Sequence, residues 1–450
     1  MAGGIWVKQN KIRPGAYINF EAKRKMRDLF GDIGRVALPV ALNWGAENKI
    51  IEIEPGQQEQ KTIEDFGYSL DDDEMLLIRE CLHSAHKVLV YRVSGGTKAE
   101  LTVINLTVKA KYAGTRGNAI QVQASVNADD NDAVDFKVFL GGMIKETQIG
   151  VKLIEELQES KYVDFDGTGS IPVIPEAGGS LVGGTDVDAT VADYQKAFDA
   201  FSFAYFECLG ICSDDSSVKK LAVSFTKQMI EQKGKYIQTI LSDYDADNEF
   251  ITSIDSGVIL YDGTVIDRLK AVAWYAGASA AAGPAGSLTY AVYPNAVKVD
   301  DALTDYEIEQ KIVQGKVVFS PQIDNDGNDI IVVEDDVNTL QTYTTQKPKD
   351  WNSNRVIRAM NQFANDVYMF WHRSYIGKIS NNVSGRNLLK ADITTNIRAR
   401  EDQGVFEEKA FDPEYDLKVE QGDTKDAVIV EVNIQPVDAM EKLYMTVFVA

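Results

Sequence analysis

The residues of this chain best suited to chemistry are its histidines, cysteines and acidic clusters. His83 and His86 stand one helical turn apart, a spacing at which two imidazoles can bind one metal ion. A zinc site needs three or four ligands, and the one other histidine, His372, is remote in sequence and has no cysteine pair beside it. The pair is therefore more typical of a helix end than of a metal site.

The cysteines and one acidic loop also favour structural roles. Cys208 and Cys212 lie on a predicted buried strand, where their Cα atoms would be ~13 Å apart, too far for a disulfide. With Cys81 they are expected to be thiols of the core. The acidic loop at 324–329 is similar to half of a calcium loop, but Asp335 stands where a bidentate Glu is required. Strand patterns flank this loop, so we expect a polar hairpin turn.

Two common catalytic motifs do not occur in the sequence. There is no Gly-x-x-x-x-Gly-Lys-Ser/Thr phosphate loop and no Gly-x-Ser-x-Gly nucleophile elbow. Three histidines in 450 residues leave few general bases, and no motif indicates a Ser-His-Asp arrangement. We therefore predict no catalytic residue, no metal ion and no cofactor.

The composition excludes some partners. A formal net charge of −22 argues against nucleic-acid binding, which needs a basic face to neutralise phosphates. Residues 1–20 lack the apolar segment of a secretory signal, so an extracellular product is expected to be released by lysis or another such route. The most apolar stretch, Ala271 to Ala282, is too short for a bilayer and predicts a buried helix rather than membrane contact.

Alternating strand and helix patterns predict a discontinuous α/β core. A helix through about His86 precedes a buried strand at 88–93. After residue 185 the pattern continues; we predict helices at 191–201, 216–233, 265–282 and 305–313, and strands at 206–211, 235–242, 256–261, 316–320 and 329–334. Such alternation implies a mostly parallel sheet covered by helices on both faces, with the strand at 88–93 in the same sheet.

Two other regions differ from this core. Alternating segments between Gly95-Gly96 and Gly178–Gly184 predict a small β-sandwich or barrel, inserted through two glycine hinges. From Pro348 onward, two long helices precede strand-like runs at 417–420, 427–434 and 443–449. The fold class is therefore multidomain α+β. The predicted parts are an N-terminal arm (1–30), the core (31–94 and 185–347), the inserted β domain (97–180) and a C-terminal domain (348–450) that ends in a strand arm (443–450).

The two ends of the chain carry opposite charge. Residues 1–30 hold seven basic and two acidic residues, whereas residues 401–450 hold four basic and thirteen acidic residues. A short strand pattern follows Arg13-Pro14-Gly15 near the N-terminus, and another strand pattern closes the chain. Terminal strands recruit other chains through their free N–H and C=O groups, and a head-to-tail contact of this kind propagates into rings or helices. The residues alone leave open a solvated basic tail and a C-terminal strand that completes its own domain.

Particular N-terminal residues resemble a known family. Lys11, Arg13-Pro14-Gly15, Tyr17-Ile18-Asn19-Phe20, Val36-Ala37-Leu38-Pro39 and Trp44-Gly45 are similar to the start of contractile tail sheath proteins of phages and phage-tail-like bacteriocins, especially those of defective prophages of Gram-positive bacteria. The segment Ala110 to Asn118 resembles the β domain of such sheaths. The likeness in domain order covers nearly the whole chain.

The resemblance implies a structural function. A sheath subunit polymerises into stacked hexameric rings around a tail tube and contracts to drive the tube through a cell envelope. The partners implied are further copies of the chain, the tube protein, and baseplate and tail terminator proteins, with assembly in the bacterial host cytoplasm. Each subunit of this family lends its terminal strands to neighbours. Carried onto this sequence, the N-terminal arm is Arg13, Tyr17, Ile18, Asn19 and Phe20, and the C-terminal arm is Tyr444, Thr446, Val447, Phe448 and Val449.

The second C-terminal helix offers a candidate surface for the tube. It carries Arg386, Lys390, Arg398 and Arg400, an unusual density of cations in so acidic a chain. We predict that these residues meet an acidic face of the tube. An alternative function is an α/β hydrolase-like enzyme with a β accessory domain. An enzyme should remain a small oligomer without its arms, whereas a sheath subunit should lose polymerisation.

Overall fold

The computed structural model describes residues 2–4, 15–17, 33–175, 177 and 179–449. Residues 1–32 form one compact unit and residues 33–450 another, and each is described by itself. In the first unit, β1 (Ala2–Gly4) and β2 (Gly15–Tyr17) pair in parallel, with Ala2 opposite Gly15. The second unit is called the body below.

A seven-stranded sheet forms the centre of the body. In spatial order its strands are β20 (Lys316–Val317), β16 (Ile251–Ile254), β15 (Gln238–Ser242), β14 (Cys208–Gly210), β3 (Arg35–Val40), β5 (Lys87–Arg92) and β4 (Ile50–Ile53). All neighbours are parallel except β4, which is antiparallel to β5. The inner strands are buried on both faces, as expected for a parallel sheet covered by helices.

Helices cover both faces of this sheet, as predicted. Val36 and Leu38 share a hydrophobic cluster with α2 (Leu76–Leu82) and α5 (Arg268–Ala282). Ala37, on the opposite side of the same strand, belongs to a second cluster with α3 (Val191–Phe201) and α4 (Ser216–Lys233). This division follows from the two-residue repeat of side chains along a strand. The remaining helices of this region are α1 (Gln58–Phe66), α6 (Asp305–Val313) and a 3-10 turn at Asp73–Met75.

The predicted end of the sheet was wrong. The segment 329–334 forms β22 (Asp329–Val333), which pairs with β21 (Phe319–Ile323) in a separate hairpin around the acidic loop. The segment 256–261 forms β17 (Val258–Leu260), which lies between β18 (Val265–Ile266) and β19 (Ala296–Val299) outside the central sheet. The strand that pairs with β15 on this side is β16, which the sequence analysis did not predict. The short, polar sequence of β16, Ile-Thr-Ser-Ile, gave no periodic signal.

The inserted β domain consists of two three-stranded sheets. One contains β9 (Ile120–Val126), β10 (Val134–Leu140) and β11 (Met143–Val151), and the other contains β7 (Glu100–Val103), β8 (Leu106–Ala110) and β12 (Val163–Gly167). Their buried side chains alternate with half-exposed ones along β9 and β10. Short 3-10 turns occur at Thr115–Ala119 and Ile154–Glu156.

The two linkers of this domain are paired rather than free hinges. Strand β6 (Gly95–Thr97) pairs antiparallel with β13 (Thr185–Val187), and a Cβ atom at Gly96 would lie 2.0 Å from the Thr185 carbonyl oxygen. Glycine is therefore required there for close backbone approach. The buried guanidinium of Arg92 donates to the carbonyls of Leu42, Gly45 and Ala113 at 2.8–2.9 Å, which fastens the β domain to the core.

The C-terminal region combines two helices and a hairpin. Helix α7 (Asn354–Phe370) follows a 3-10 turn at Lys349–Asn352 and continues into a π-helical turn at Trp371–Tyr375. Helix α8 (Val383–Asp402) then leads to the antiparallel pair β23 (Leu417–Gln421) and β24 (Val428–Val432). A third hydrophobic cluster lies between α7, α8 and this hairpin.

Helix α7 is buried on its polar side as well as its apolar side. The sequence predicted the apolar stripe, but the opposite stripe also packs against the body; it comprises Asn354, Arg358, Asn361, Gln362, Asn365 and Asp366. Asp336 is the centre of the first contact. Its carboxylate accepts hydrogen bonds from Arg358 at 2.5 Å, from the Tyr275 hydroxyl at 2.5 Å and from Asn354 at 3.0 Å. Burial opposes the charge, but Arg358 holds the pKa of Asp336 below its usual value.

A buried glutamate lies at the other side of the same junction. Oε2 of Glu207 accepts the Arg35 backbone N–H at 2.7 Å, whereas Oε1 has no hydrogen-bond partner among the described residues. Glu207 lines a small cavity of about 30 Å³ together with Arg358 and Asn361. Burial raises the pKa of Glu207 to about 7, against the lowering effect of the Arg35 N–H and charge. An ionised Glu207 therefore costs free energy in the folded body.

We predict that Asp336→Ala destabilises the body by about 3–5 kcal/mol, because it leaves the Arg358 guanidinium buried without its counter-charge. Chemical denaturation followed by circular dichroism measures the loss. Asp301→Ala, which removes an exposed carboxylate, serves as the matched control and should stay within about 0.5 kcal/mol of the unmodified chain. Equal stability of the two variants would show that the ion pair does not hold α7.

We also predict a pH-dependent effect of Glu207→Gln. A carboxyl with a raised pKa binds its proton more tightly in the folded state, so its contribution to stability is present at low pH and is lost as pH rises towards 7. The variant should gain up to about 3 kcal/mol at pH 8 and almost nothing at pH 4.5, measured by urea denaturation. Glu309→Gln on exposed α6 is the control. If the stabilities of the two variants changed with pH in parallel, Glu207 would not be the carboxyl with the raised pKa.

Candidate assembly interfaces

The hairpin of β23 and β24 has two open edges. Its strands pair with each other from Leu417 opposite Val432 to Gln421 opposite Val428, and no other strand of the described residues joins them. Ile429 of β24 is half exposed. A two-stranded sheet is marginal alone, and its unpaired N–H and C=O groups are a template for further strands. The hairpin can therefore accept a strand on each side.

An apolar groove runs beside this hairpin. Its volume is about 470 Å³. The apolar side chains of its walls come from α7 (Phe363, Val367), the π-helical turn that follows it (Trp371), α8 (Leu389, Ile393) and β24 (Val428, Val430, Val432). An exposed concave surface of this composition is typical of a site for an apolar segment of another molecule.

The C-terminal segment has the complementary character. Residues 443–449 form neither helix nor strand, and Tyr444, Phe448 and Val449 are at least 90% exposed. Thr446 and Val447 are exposed as well. The strand predicted here does not form on the isolated chain, because no strand among the described residues supplies its ladder hydrogen bonds. The segment thus presents apolar side chains to solvent on both sides of an unpaired backbone.

The predicted N-terminal arm is described only in part. The strand expected at 16–20 overlaps β2 at Ala16 and Tyr17. The other arm residues, Arg13, Ile18, Asn19 and Phe20, lie outside the described residues.

The four predicted tube-facing cations do not share one face of α8. Arg400 is buried and paired with Asp366, so its assignment to an exposed surface is wrong. Arg398 bonds to Glu401 at 2.8 Å, and Lys390 lies 3.5 Å from Glu414. Arg386 donates to Asn381 at 2.9 Å. A buried partner for Arg400 was hidden from sequence reasoning, because Asp366 lies 34 residues away on another helix.

Two of these four cations belong to a broader basic surface around the connection between α7 and α8. From Val367 to Ala391 the sequence has no acidic residue and contains Arg373, Lys378, Arg386 and Lys390. Ile376, Ile379 and Val383 are exposed among them. We call residues 371–390 the helical tip. Its mixture of cations and apolar side chains suits an acidic protein surface.

The histidines, cysteines and acidic loop considered as possible catalytic or metal-binding residues lie in ordinary structural positions. His83 lies 3.6 Å from Glu80 on α2, and Cys81 and Cys208 are buried. Across the described part of the chain, no three His, Cys, Asp or Glu side chains converge as a metal site. The loop at 324–329 is the polar hairpin turn predicted, with Asp324 accepting from Asn328. None of the described helices is both long and apolar enough to cross a membrane.

Comparison with known families covers almost the whole body. Residues 34–93 match the tail sheath protein Gp18 domain III N-terminal region, and residues 94–186 match the phage tail sheath protein beta-sandwich domain. Residues 188–339 match the phage tail sheath protein central domain. Residues 346–450 match the phage tail sheath C-terminal domain.

Individual relatives support the same family. The chain is 31% identical to the phage-like element PBSX protein XkdK and 33% identical to YqbK, both from Bacillus subtilis, over 99% of each protein. Among solved structures, the sheath tail protein of Desulfitobacterium hafniense superposes with a TM-score of 0.82 at 35% identity, over 96% of this chain and 99% of that one. The sheath tail protein of Listeria innocua gives 0.79 at 31% identity, over 92% and 94%.

A more distant likeness shows the fold alone. The helical sheath of the anti-feeding prophage in its contracted state superposes with a TM-score of 0.54 at 11% identity, over 97% of this chain and 98% of that one.

The matched family is structural and not enzymatic, which removes the hydrolase-like alternative. The unpartnered hairpin, the apolar groove and four matched domains lead to one conclusion: this chain belongs to the phage tail sheath protein family.

Proposed function

We propose that the chain is the repeating subunit of a contractile tail sheath. Its copies assemble into stacked hexameric rings around a tail tube and rearrange to drive that tube through a cell envelope. The observation that carries this proposal is the presence, on one chain, of an open hairpin beside an apolar groove and of an exposed apolar strand sequence. A donor and an acceptor of this kind polymerise head to tail when each copy fills the site of the next.

The C-terminal segment is the proposed occupant of the groove. Residues 443–449 would lie along β24 of a second copy and form main-chain hydrogen bonds with it. Val447, Val449 and their neighbours would then cover the walls formed by Phe363, Val367 and Trp371. Alternate side chains of an added strand face one way, so half of this segment would enter the groove. Burial of several such side chains is worth about 1.5–3 kcal/mol each.

The N-terminal arm is the proposed occupant of the opposite edge. Residues 11–20, including Arg13, Tyr17, Ile18, Asn19 and Phe20, would extend β23. Charge supports this placement, because residues 1–30 are net basic and residues 401–450 are net acidic. Each hairpin would thereby become a four-stranded sheet built from three subunits, and the copies would stay linked while other contacts change.

Contraction would move bodies against one another rather than deform them. Two buried ion pairs, Asp336 with Arg358 and Asp366 with Arg400, fix α7 and α8 within the body. Separating either pair would expose or strand a buried charge, which costs several kcal/mol. The rearrangement would therefore use the surfaces between copies, and the energy would come from a change in packing between two lattice arrangements rather than from hydrolysis.

The proposed contacts with the tube, the baseplate and the tail terminator follow from where the exposed surfaces lie on the subunit. The helical tip, with Arg386 and Lys390, is the proposed contact with an acidic tube, and Arg398 is a flanking candidate. The β domain would lie outward, where an insertion disturbs a lattice least. Baseplate and tail terminator proteins would bind the two ends of the sheath. Assembly would take place in the bacterial host cytoplasm, and lysis would release a virion tail or a phage-tail-like particle.

The double variant Val447→Asp with Phe448→Asp is predicted to abolish tubular polymers. Adjacent side chains of a strand face opposite ways, so one of the two new charges would enter the apolar groove whichever face the segment presents. The body should remain folded, since both side chains are exposed in the isolated chain. Negative-stain electron microscopy and sedimentation velocity measure assembly, and circular dichroism measures folding. Ile104→Asp, at an exposed turn of the β domain, is the control and should assemble normally. Tubes formed equally by the double variant and the control would sink the proposal.

Arg386→Glu combined with Lys390→Glu is predicted to weaken co-sedimentation with the tube at least about ten-fold while tubes of sheath alone still form. The expected reason is repulsion between new carboxylates and an acidic tube face. Lys109→Glu, a charge reversal at a half-exposed side chain of β8, is the control. Arg400 is left intact because it pairs with Asp366 inside the body. Undiminished docking by the double variant would exclude the helical tip as the tube contact.

A further inference from the structure

Three side chains at the junction between α7 and the central sheet each have one unused polar atom. Oε1 of Glu207, Nε of Arg358 and Oδ1 of Asn361 are buried and have no hydrogen-bond partner among the described residues. Arg358 and Asn361 are both only 7% exposed. Buried polar atoms in folded proteins are nearly always paired, because an unpaired one loses its hydrogen bonds to water without replacement.

The other polar atoms of Glu207 and Arg358 hold these side chains in place. Oε2 of Glu207 accepts a backbone N–H of β3 at 2.7 Å. Nη1 of Arg358 donates to the Ser279 hydroxyl at 3.1 Å, and Nη2 donates to the Gly286 carbonyl at 2.8 Å. Moving either side chain would break these contacts. The oxygens of Asn361 and of an ionised Glu207 are both acceptors, so they cannot pair with each other.

The three side chains line the same cavity. Its volume is about 30 Å³, which is room for about one or two water molecules. Ile33 and Ala280 border the same space with apolar atoms. A space of this size brings the unused atoms of Glu207, Arg358 and Asn361 within reach of one small occupant.

The chemistry of the three atoms identifies that occupant. Oε1 of Glu207 and Oδ1 of Asn361 accept hydrogen bonds, whereas Nε–H of Arg358 donates one. An anion has no hydrogen to give to the two oxygens. A cation cannot accept from the guanidinium and is repelled by its charge. Water donates two hydrogen bonds and accepts others, and a buried water typically makes about three.

We propose that this cavity binds an ordered water molecule that joins Glu207, the residue before β14, to Arg358 and Asn361 of α7. The water donates to the two oxygens and accepts from Nε–H of Arg358. It is a second tie between α7 and the central sheet, beside the ion pair of Arg358 with Asp336. The site lies within the body of one chain, so it does not depend on the proposed function.

Water also suits both protonation states of Glu207. Burial raises the pKa of Glu207 to about 7, so both forms are present near neutral pH. The ionised carboxylate accepts a hydrogen bond from the water, and a carboxyl protonated on Oε1 donates one to it. Rotation of the water exchanges these roles while Arg358 and Asn361 stay where they are.

An X-ray structure of the unassembled full-length chain, at a resolution that shows ordered waters, tests the site. We expect a density peak in the cavity at about 2.7–3.2 Å from each of the three atoms. In Asn361→Leu, a variant of similar side-chain shape, the occupancy of the peak should fall at least about two-fold, because one of its hydrogen bonds is lost. Asn131→Leu, at an exposed turn of the β domain, is the matched control and should keep the peak.

Three outcomes would overturn the water site. They are a cavity without a peak in the unmodified chain, a peak of unchanged occupancy in Asn361→Leu, and a peak that a bromide soak replaces with an anomalous signal, which would indicate an adventitious ion only. Should Asn361→Leu fail to fold, the unmodified chain and the bromide soak still decide the question. None of these measurements uses tubes, so a failure of the site is distinguishable from a failure of the proposed function.

Discussion

The buried carboxylate of Asp336 is the constraint on which the rest of the C-terminal region depends. It is shared by Tyr275 of α5, by Asn354 and Arg358 of α7 and by the Leu288 backbone. A buried charge is tolerated only when all its partners are in place. The first two turns of α7 therefore have one position relative to the central sheet. Phe363 and Val367, further along the same helix, and Trp371 in the π-helical turn that follows then form a wall of the apolar groove.

Local signals allowed much of the body to be predicted. Helices α3, α4 and α6 have the predicted bounds, because each has a polar N-cap, Thr190, Asp215 or Thr304, and α4 ends at Gly234 in the left-handed conformation. These signals act within a few residues and do not need a tertiary partner. The β-sandwich was predictable for a similar reason, since one buried face per sheet gives a two-residue alternation.

Long-range partners account for what the sequence did not reveal. The sequence of the polar stripe of α7 is typical of a solvated face, yet the stripe is buried. Its partners come from distant segments: Tyr275 and Asp336 contact the start of the helix, and Arg400 pairs with Asp366 near its end. Arg400 was misplaced for this reason. Residues 443–449 are the opposite case: their pattern predicts a strand, but in the isolated chain they pair with no strand of the described residues. In the sheath we propose, that pattern describes the assembled state, so the isolated chain has an exposed segment where the sequence indicates a strand.

Net charge explains why such an assembly would depend on strands and apolar grooves. Every copy carries a formal charge of −22, so packing copies into a lattice increases like-charge repulsion, and salt screens this only beyond about 8 Å at physiological strength. Main-chain hydrogen bonds and apolar burial do not depend on net charge. They also follow the terminal segments when bodies shift, whereas contacts between body surfaces must exchange. In the sheath we propose, a link that survives contraction of so acidic a lattice is therefore best made by the backbone of one copy on the hairpin of another.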